Sequence, residues 1–194
     1  MKYLILIILI QCYFSTILKA QNANDTINTK EVFPDSLFRA KLFEIVDENN
    51  DDKIQWEEVW NTNKLDISVP LWSGKQEISS IIGIGIFNNL DTLLCSGIDL
   101  IILDLTENKK IEYLDCRSNY SIESILLPSN SPITYLQCDN NEISNLNLQG
   151  QSKLEVLICF ANWSLSSLDI RGTSLDMIDF VEVKIKDIDR LRKF

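Results

Sequence analysis

Four cysteines, Cys95, Cys116, Cys138 and Cys159, fall at intervals of 21, 22 and 21 residues. Each closes a nearly constant phrase: LDTLLC, IEYLDC, ITYLQC and LEVLIC. An apolar residue stands five and two positions before every one of them. Asn119, Asn141 and Asn162 follow the last three cysteines at a distance of three residues. A chain that repeats itself at this length folds as a stack of coils, because a single coil cannot bury its apolar side except against a copy of itself. Each phrase alternates in period two and so supplies one short strand to a parallel sheet, with leucine and cysteine turned inward.

The coils register as 90–110, 111–132, 133–153 and 154–174, and their period and apolar spacing are those of leucine-rich repeats. In the third, Ile133, Leu136, Cys138, Ile143, Leu146 and Leu148 carry the inward pattern. One-residue shifts bring Ile122, Ile125 and Leu127, and then Leu165, Leu168 and Ile170, to the same stations. The asparagine amides are expected to satisfy backbone groups where the chain turns out of each strand, since buried peptide groups need partners. Ile98 breaks that rule in the first coil, so its turn should be less well satisfied. Ile78, Ile81, Ile84 and Phe87 read as a degenerate turn before the first full coil. Leu175, Ile178 and Phe180 begin a fifth strand, followed by a closing turn. An even number of cysteines invites a disulfide framework. Equivalent rungs of a parallel ladder point the same way, however, and bridges need converging Cβ vectors. Four buried thiols are the reading the period favours over bridges or a metal site.

The first residues, MKYLILIILIQCYFSTILKA, have the basic start, apolar run and small residue of a secretory signal cleaved after Ala20. A lipoprotein signal using Cys12 is the alternative, poorly served by Gln11. Segment 21–31 is polar and reads as a disordered leader. The chain holds 18 basic and 28 acidic residues, a net charge of −10 that repels nucleic-acid phosphates. It has no histidine, which excludes Ser-His-Asp and Cys-His catalysis and removes the commonest zinc ligand.

One segment carries recognisable chemistry. Residues 47–58 read DENNDDKIQWEE. On the twelve-residue EF-hand loop, Asp47, Asn49, Asp51, Lys53, Gln55 and Glu58 take positions 1, 3, 5, 7, 9 and 12. That order gives Ca²⁺ its hard oxygens, with Lys53 acting through its carbonyl and Glu58 through both oxygens. Ile54 at position 8 is expected to pin the loop. Asp52 stands where glycine is usual, so it must tolerate a positive φ. Pro34 opens an entering helix with Phe38, Leu42 and Ile45 on one face, and a short helix follows from Glu57. Helix and loop should cap the solenoid, with Phe38, Phe43, Trp56, Trp60 and Trp72 covering its open end.

The phrases YLDCRSN and YLQCDNNEISNLNL resemble the cysteine-bearing leucine-rich repeats of secreted Bacteroidetes proteins, internalin-like in outline. The resemblance runs from about Val32 to Phe180. It implies a proline-containing helix and a calcium-loop segment before the repeats, and a cell-surface setting. Many such proteins carry further repeats or a C-terminal sorting domain beyond the point where this sequence stops.

The expected fold is therefore α+β. It comprises a signal peptide (1–20), the leader (21–31), an EF-hand-like helical cap (32–64), a degenerate first turn (65–89), four repeats (90–174) and a terminal strand with cap (175–194). Period two sends Tyr113, Asp115, Arg117, Tyr135, Gln137, Asp139, Val156, Ile158 and Phe160 to the outer, concave face of the sheet. Aromatic and apolar groups beside charged ones suit recognition of an extracellular protein or surface glycan. The expected function is a secreted, non-catalytic recognition module with a structural Ca²⁺. A structural piece of a surface assembly is the alternative. A glycan hydrolase is a further one, with Asp115 and Asp139 the only concave-face acids in neighbouring strands and nearby rows. The sequons at Asn24, Asn119 and Asn162 are set aside, because the turns claim the last two.

Overall fold

A computed structural model describes residues 22–70, 78–175 and the strand backbone of 177–179. The signal-peptide segment, Trp72, Phe180 and the closing turn to Phe194 lie outside the described residues. Within them the chain is a stack of parallel coils preceded by helices at its N-terminal end. Six three-residue strands form one parallel sheet: β1 (Lys64–Asp66), β2 (Thr92–Leu94), β4 (Tyr113–Asp115), β6 (Tyr135–Gln137), β8 (Val156–Ile158) and β10 (Met177–Asp179). On the far side of the coils lie two shorter pairs, β3 (Ile102–Asp104) with β5 (Ser124–Leu126), and β7 (Asn145–Asn147) with β9 (Ser167–Asp169).

The register follows the sequence period. Leu65, Leu93, Leu114, Leu136, Leu157 and Ile178 align rung over rung. Cys95, Cys116, Cys138 and Cys159 form the next column, all fully buried and none in a disulfide. In this setting a thiol acts as a small hydrophobe. The inward leucines and isoleucines of both sides meet in one continuous core.

The first coil differs from expectation. Residues 64–66 were assigned to the cap and the degenerate turn, yet they form a full strand of the main sheet. Ile67 takes the cysteine's place there, its amide donating to the Leu94 carbonyl at 2.8 Å. Strand β1 starts 28 residues before β2, so the 21-residue period does not reveal it. The degenerate turn is real further along, where Ile84–Ile86 make one 3₁₀ turn and Ile78, Ile81, Ile84 and Phe87 are buried.

Three helices make the cap: α1 (Thr29–Val32), α2 (Ser36–Ile45) and α3 (Trp56–Asn61). Asp35, not Pro34, starts α2. Its Oδ1 accepts the amides of Leu37 and Phe38, each at 2.9 Å. Its Oδ2 accepts from Ser79 N, Ser79 Oγ and Ser80 N at 3.0–3.1 Å, which ties the cap to the solenoid. Phe38, Leu42 and Val46 are buried, whereas Ile45 is exposed, so the inward face continues to Val46, one residue later than the spacing suggested. Phe33 fills the joint, in ring contact with Phe38 and Phe87. Gly83 lies against it with φ of 100°, and a Cβ there would fall 2.4 Å from the Val32 carbonyl oxygen. Trp56 is buried, and Phe43 and Trp60 pack partly against the core.

The segment expected to be a disordered leader is structured from Asn22 onward. Thr26 bridges Gln55 in antiparallel fashion, Ile27 N donates to Ile54 O at 2.8 Å, and Ile27 is buried. Polar composition hid this because backbone bonds and one isoleucine do the anchoring. No helix among the described residues is long and apolar enough to cross a membrane.

Candidate functional site

The outer face of the six-stranded sheet inherits its rows directly from the register. Lys64, Thr92, Tyr113, Tyr135, Val156 and Met177 form one row, and Asp66, Leu94, Asp115, Gln137, Ile158 and Asp179 the next. Ser96, Arg117, Asp139 and Phe160 follow their cysteines in a third. All nine residues expected on this face are therefore brought together. The rings of Tyr113 and Tyr135 stack with centroids 4.3 Å apart and planes 2° from parallel. Rungs of a parallel sheet are about 4.8 Å apart, so the stack follows from placing the same ring on adjacent strands.

The polar members behave differently from expectation. Asp115, Gln137 and Asp139 are only 7, 8 and 3% exposed, so they do not face solvent freely. They bond to neighbours on the sheet. Tyr135 Oη donates to Gln137 Oε1 at 2.8 Å, and Gln137 Nε2 donates to Asp139 Oδ1 at 2.9 Å. Asn140 Nδ2 donates to Asp139 Oδ2 at 2.7 Å. Arg117 Nε stands 3.4 Å from Asp115 Oδ2, and its amide donates to Asp115 Oδ1. Long neighbouring side chains close over short carboxylates, which alternation alone cannot register. Burial raises the pKa of Asp115 above the usual carboxylate value, against the lowering effect of Arg117. Burial also pushes Tyr135 up to about 12, assisted by its bond with Tyr113. The surface left for contact comprises half-buried Leu94, Tyr113, Tyr135, Val156, Ile158 and Phe160, with Arg117 exposed beside them.

Beneath this face runs an amide ladder that fixes its shape. Asn119 Nδ2 donates to the carbonyls of Cys95 and Cys116, both at 2.9 Å. Asn141 bridges Cys116 and Cys138 at 3.1 and 2.9 Å, and Asn162 bridges Cys138 and Cys159 at 2.9 and 3.0 Å. Each amide thus links its own coil to the one before. The residue two after each cysteine, Gly97, Ser118, Asn140 or Ala161, has φ between 51 and 71°. Ile98 is buried in the vacant asparagine position, so the Cys95 carbonyl relies on Asn119.

A second polar column at the opposite corner escaped the sequence reading. Asn108 Nδ2 donates to the carbonyls of Ile84 and Phe87. Gln151 accepts from Ser131 N and Oγ and donates to Pro128 O. Asn108 and Gln151 each stand three residues before the apolar residue that opens a coil, and that spacing was the available signal.

The twelve-residue loop is tied together by hydrogen bonds among its own residues. Asp47 accepts from the amides of Asp51 (3.2 Å) and Asp52 (3.0 Å). Asn49 Oδ1 accepts from Asp51 N at 2.9 Å, and Asp51 Oδ1 from Lys53 N at 3.0 Å. Gln55 Nε2 donates to Asp51 Oδ2 at 2.9 Å. Glu58, buried at 7% exposure, accepts from Glu48 N at 3.0 Å and Gln55 N at 2.9 Å. Ile54 is fully buried, and Asp52 adopts φ of 60° in the position where glycine is usual. Asn24, Glu48, Asn49, Gln55, Glu57, Glu58 and Asn61 line an open cleft beside it. Donor types and order therefore suit a hard cation. Among the described residues, however, no three acidic side chains stand close enough together to hold one.

This architecture is a leucine-rich repeat solenoid. Among solved structures the chain is similar to the functional domain of InlJ from Listeria monocytogenes, which includes a cysteine ladder. That match has 20% identity and a TM-score of 0.52 over 82% of this chain and 41% of the other. It is also similar to an internalin, InlF, from the same organism, at 17% identity and a TM-score of 0.56 over 86% of this chain and 49% of the other. The chain spans less than half the length of either. These likenesses establish the fold. No protein-family model and no curated protein matches the chain.

Proposed function

We infer that the chain is an extracellular, non-catalytic protein-recognition module that binds through the outer face of its six-stranded sheet. The observation that carries this reading is the continuous ribbon from the Tyr113–Tyr135 stack to half-buried Val156, Ile158 and Phe160. Aromatic anchors held rigidly beside a charged rim are what protein interfaces concentrate their binding energy in. A solenoid presents them without reorganisation. The two carboxylates considered for glycan hydrolysis favour recognition over catalysis, since Asp115 is engaged by Arg117 and Asp139 by Gln137 and Asn140. The extracellular setting rests on the signal-like first twenty residues and on the cell-surface proteins whose repeats these phrases resemble.

The test is recovery of partners from cell-surface protein extracts by the wild-type chain and by a Tyr113→Ala/Phe160→Ala double variant. A partner retained by the first and lost by the second supports the reading. Equal recovery of every partner by both removes it.

The same proposal assigns Ca²⁺ to the 47–58 loop, held by Asp47, Asn49, Asp51, the Lys53 carbonyl, Gln55 and Glu58. Its support is the nested turn bonding, buried Ile54 and the positive φ of Asp52. Binding requires the carboxylates to draw together around the ion. An isolated extracellular loop has Kd on the order of 10⁻⁴–10⁻³ M. Calcium at ten times Kd then adds about 1.4 kcal/mol, raising Tm by roughly 3–6 °C for a domain of this size. Asp47→Ala should abolish that shift. A wild-type melt indifferent to both calcium and chelator refutes the assignment.

A further inference from the structure

Two of the most exposed large side chains occupy matching places in the stack. Tyr120 is 63% exposed and Trp163 is 60% exposed. Seven residues separate the cysteine from the far-side strand in the first and third coils, Cys95 to Ile102 and Cys138 to Asn145. Eight separate them in the second and fourth, Cys116 to Ser124 and Cys159 to Ser167. The register on either side identifies the extra residue. Ser121 Oγ donates to Asp99 Oδ1 at 3.0 Å, and Ser164 Oγ donates to Glu142 Oε2 at 2.9 Å, so each serine is level with the acid one coil earlier. The ladder asparagines Asn119 and Asn162 are equally fixed by their cysteines. What is inserted between asparagine and serine is Tyr120 in one coil and Trp163 in the other.

An insertion at a tight corner needs no aromatic ring to fill it. Tyr120 moreover sits at φ of 56°, a region unfavourable for a bulky L-residue. Strain held at an exposed aromatic points to function. The two residues lie two coils apart, a backbone separation of about 10 Å at the usual strand spacing. The third coil, one residue shorter at this corner, lies between them. Its Glu142 is bonded to Ser164, and Asp99 and Ser121 form the matching pair on the coils beside Tyr120.

We propose that Tyr120 and Trp163 form a glycan-binding site, separate from the outer sheet face, for a neutral β-1,4-linked polysaccharide. Three features select this ligand. The separation matches one disaccharide unit of an extended β-1,4 chain, so that alternate sugar rings meet successive aromatic faces. Hydroxyl and carboxylate groups between the rings offer partners to sugar hydroxyls. Each aromatic is flanked by polar residues, Asn119 and Ser121 or Asn162 and Ser164, whereas the centre of a protein interface is contiguous and apolar. The carboxylates of Asp99 and Glu142, on a chain of net charge −10, disfavour sulfated or uronic glycans.

The test is calorimetric titration of the full chain, with tryptophan fluorescence in parallel, using cellohexaose, chitohexaose and the α-1,4-linked maltohexaose. Saturable binding of a β-1,4 hexasaccharide is expected, with an emission change and clear preference over maltohexaose. Trp163→Ala and Tyr120→Ala should each weaken it at least tenfold, and Tyr120→Phe should retain it. Tyr120→Asn, which relieves the backbone, should bind as poorly as Tyr120→Ala yet melt no lower than wild type. The Tyr113→Ala/Phe160→Ala variant should bind glycan normally, which keeps this result independent of the protein-recognition reading. Absence of any response at millimolar hexasaccharide overturns the proposal. So does a response unchanged in Trp163→Ala, or equal affinity for maltohexaose.

Discussion

Replacing Asn119 and Asn141 by alanine, one at a time, should have unequal costs although both side chains are buried and occupy equivalent rungs. Asn119 is the donor to the Cys95 carbonyl, because Ile98 has no amide to offer, and its Oδ1 accepts from Leu100 N at 3.4 Å. Removing it strands both groups in the core. A buried polar group left without a partner costs about 1–3 kcal/mol, so Asn119→Ala should lose roughly 2–6 kcal/mol. Asn141 is backed up on both sides. Cys116 O keeps the Asn119 amide and Cys138 O keeps that of Asn162. Asn141 Oδ1 has no hydrogen-bond partner to lose. Its replacement strands nothing and should cost about 1 kcal/mol, the net value of ordinary hydrogen bonds. Equilibrium urea unfolding measures the difference. With a slope of about 2 kcal/mol per molar urea, Asn119→Ala should lower the midpoint by roughly 1–3 M and Asn141→Ala by roughly 0.5 M. Equal shifts, or a larger one for Asn141, would refute the reasoning that shared carbonyls make the middle rung redundant.

Other outcomes follow from the same coordinates. Burial raises the pKa of Asp115, so its contribution to stability is present in acid and lost as pH rises through the folded value. Asp115→Asn, which preserves an acceptor for the Arg117 amide, should therefore gain on wild type between acid and neutral pH in paired thermal melts. Burial pushes up the Asp35 carboxyl, but its hydrogen bonds to Phe38, Ser79 and Leu37 outweigh that and hold it below the usual value. Its contribution is present at neutral pH and lost on acidification. Asp35→Ala should cost at least the ~1 kcal/mol of a helix cap, and Asp35→Asn should keep the cap while losing the tie to Ser79 and Ser80. Burial holds the thiols of Cys95, Cys116 and Cys138 well above their ordinary pKa. Thiol reagents should therefore label the four ladder cysteines only after denaturant is added, and labelling in the native state would contradict the closed column.

The period made the sheet and its register legible from sequence, since a fault in either would have put leucines in water. It also located Tyr113, Tyr135 and the other residues of the outer face. It could not show that Asp115, Gln137 and Asp139 are covered, because alternation specifies direction and not the reach of neighbouring side chains. Strand β1 was hidden by its 28-residue interval and by Ile67 standing in for cysteine. The ordered leader was hidden because Asp25, Thr26 and Ile27 pair through backbone atoms, which composition does not encode. Loop 47–58 was readable as a list of donors in order. Whether those donors close on an ion depends on ångström-scale distances that no spacing rule carries.

The dependence of Cys95 on Asn119 also gives the ladder a direction in time. A carbonyl in the first rung waits for a donor 24 residues downstream. As the polypeptide leaves the ribosome or a translocon, that rung stays incomplete until the following turn has emerged as well. Assembly should therefore lag elongation by about one winding, and a nascent chain arrested just short of Asn119 should remain protease-sensitive through the segment it has already finished making.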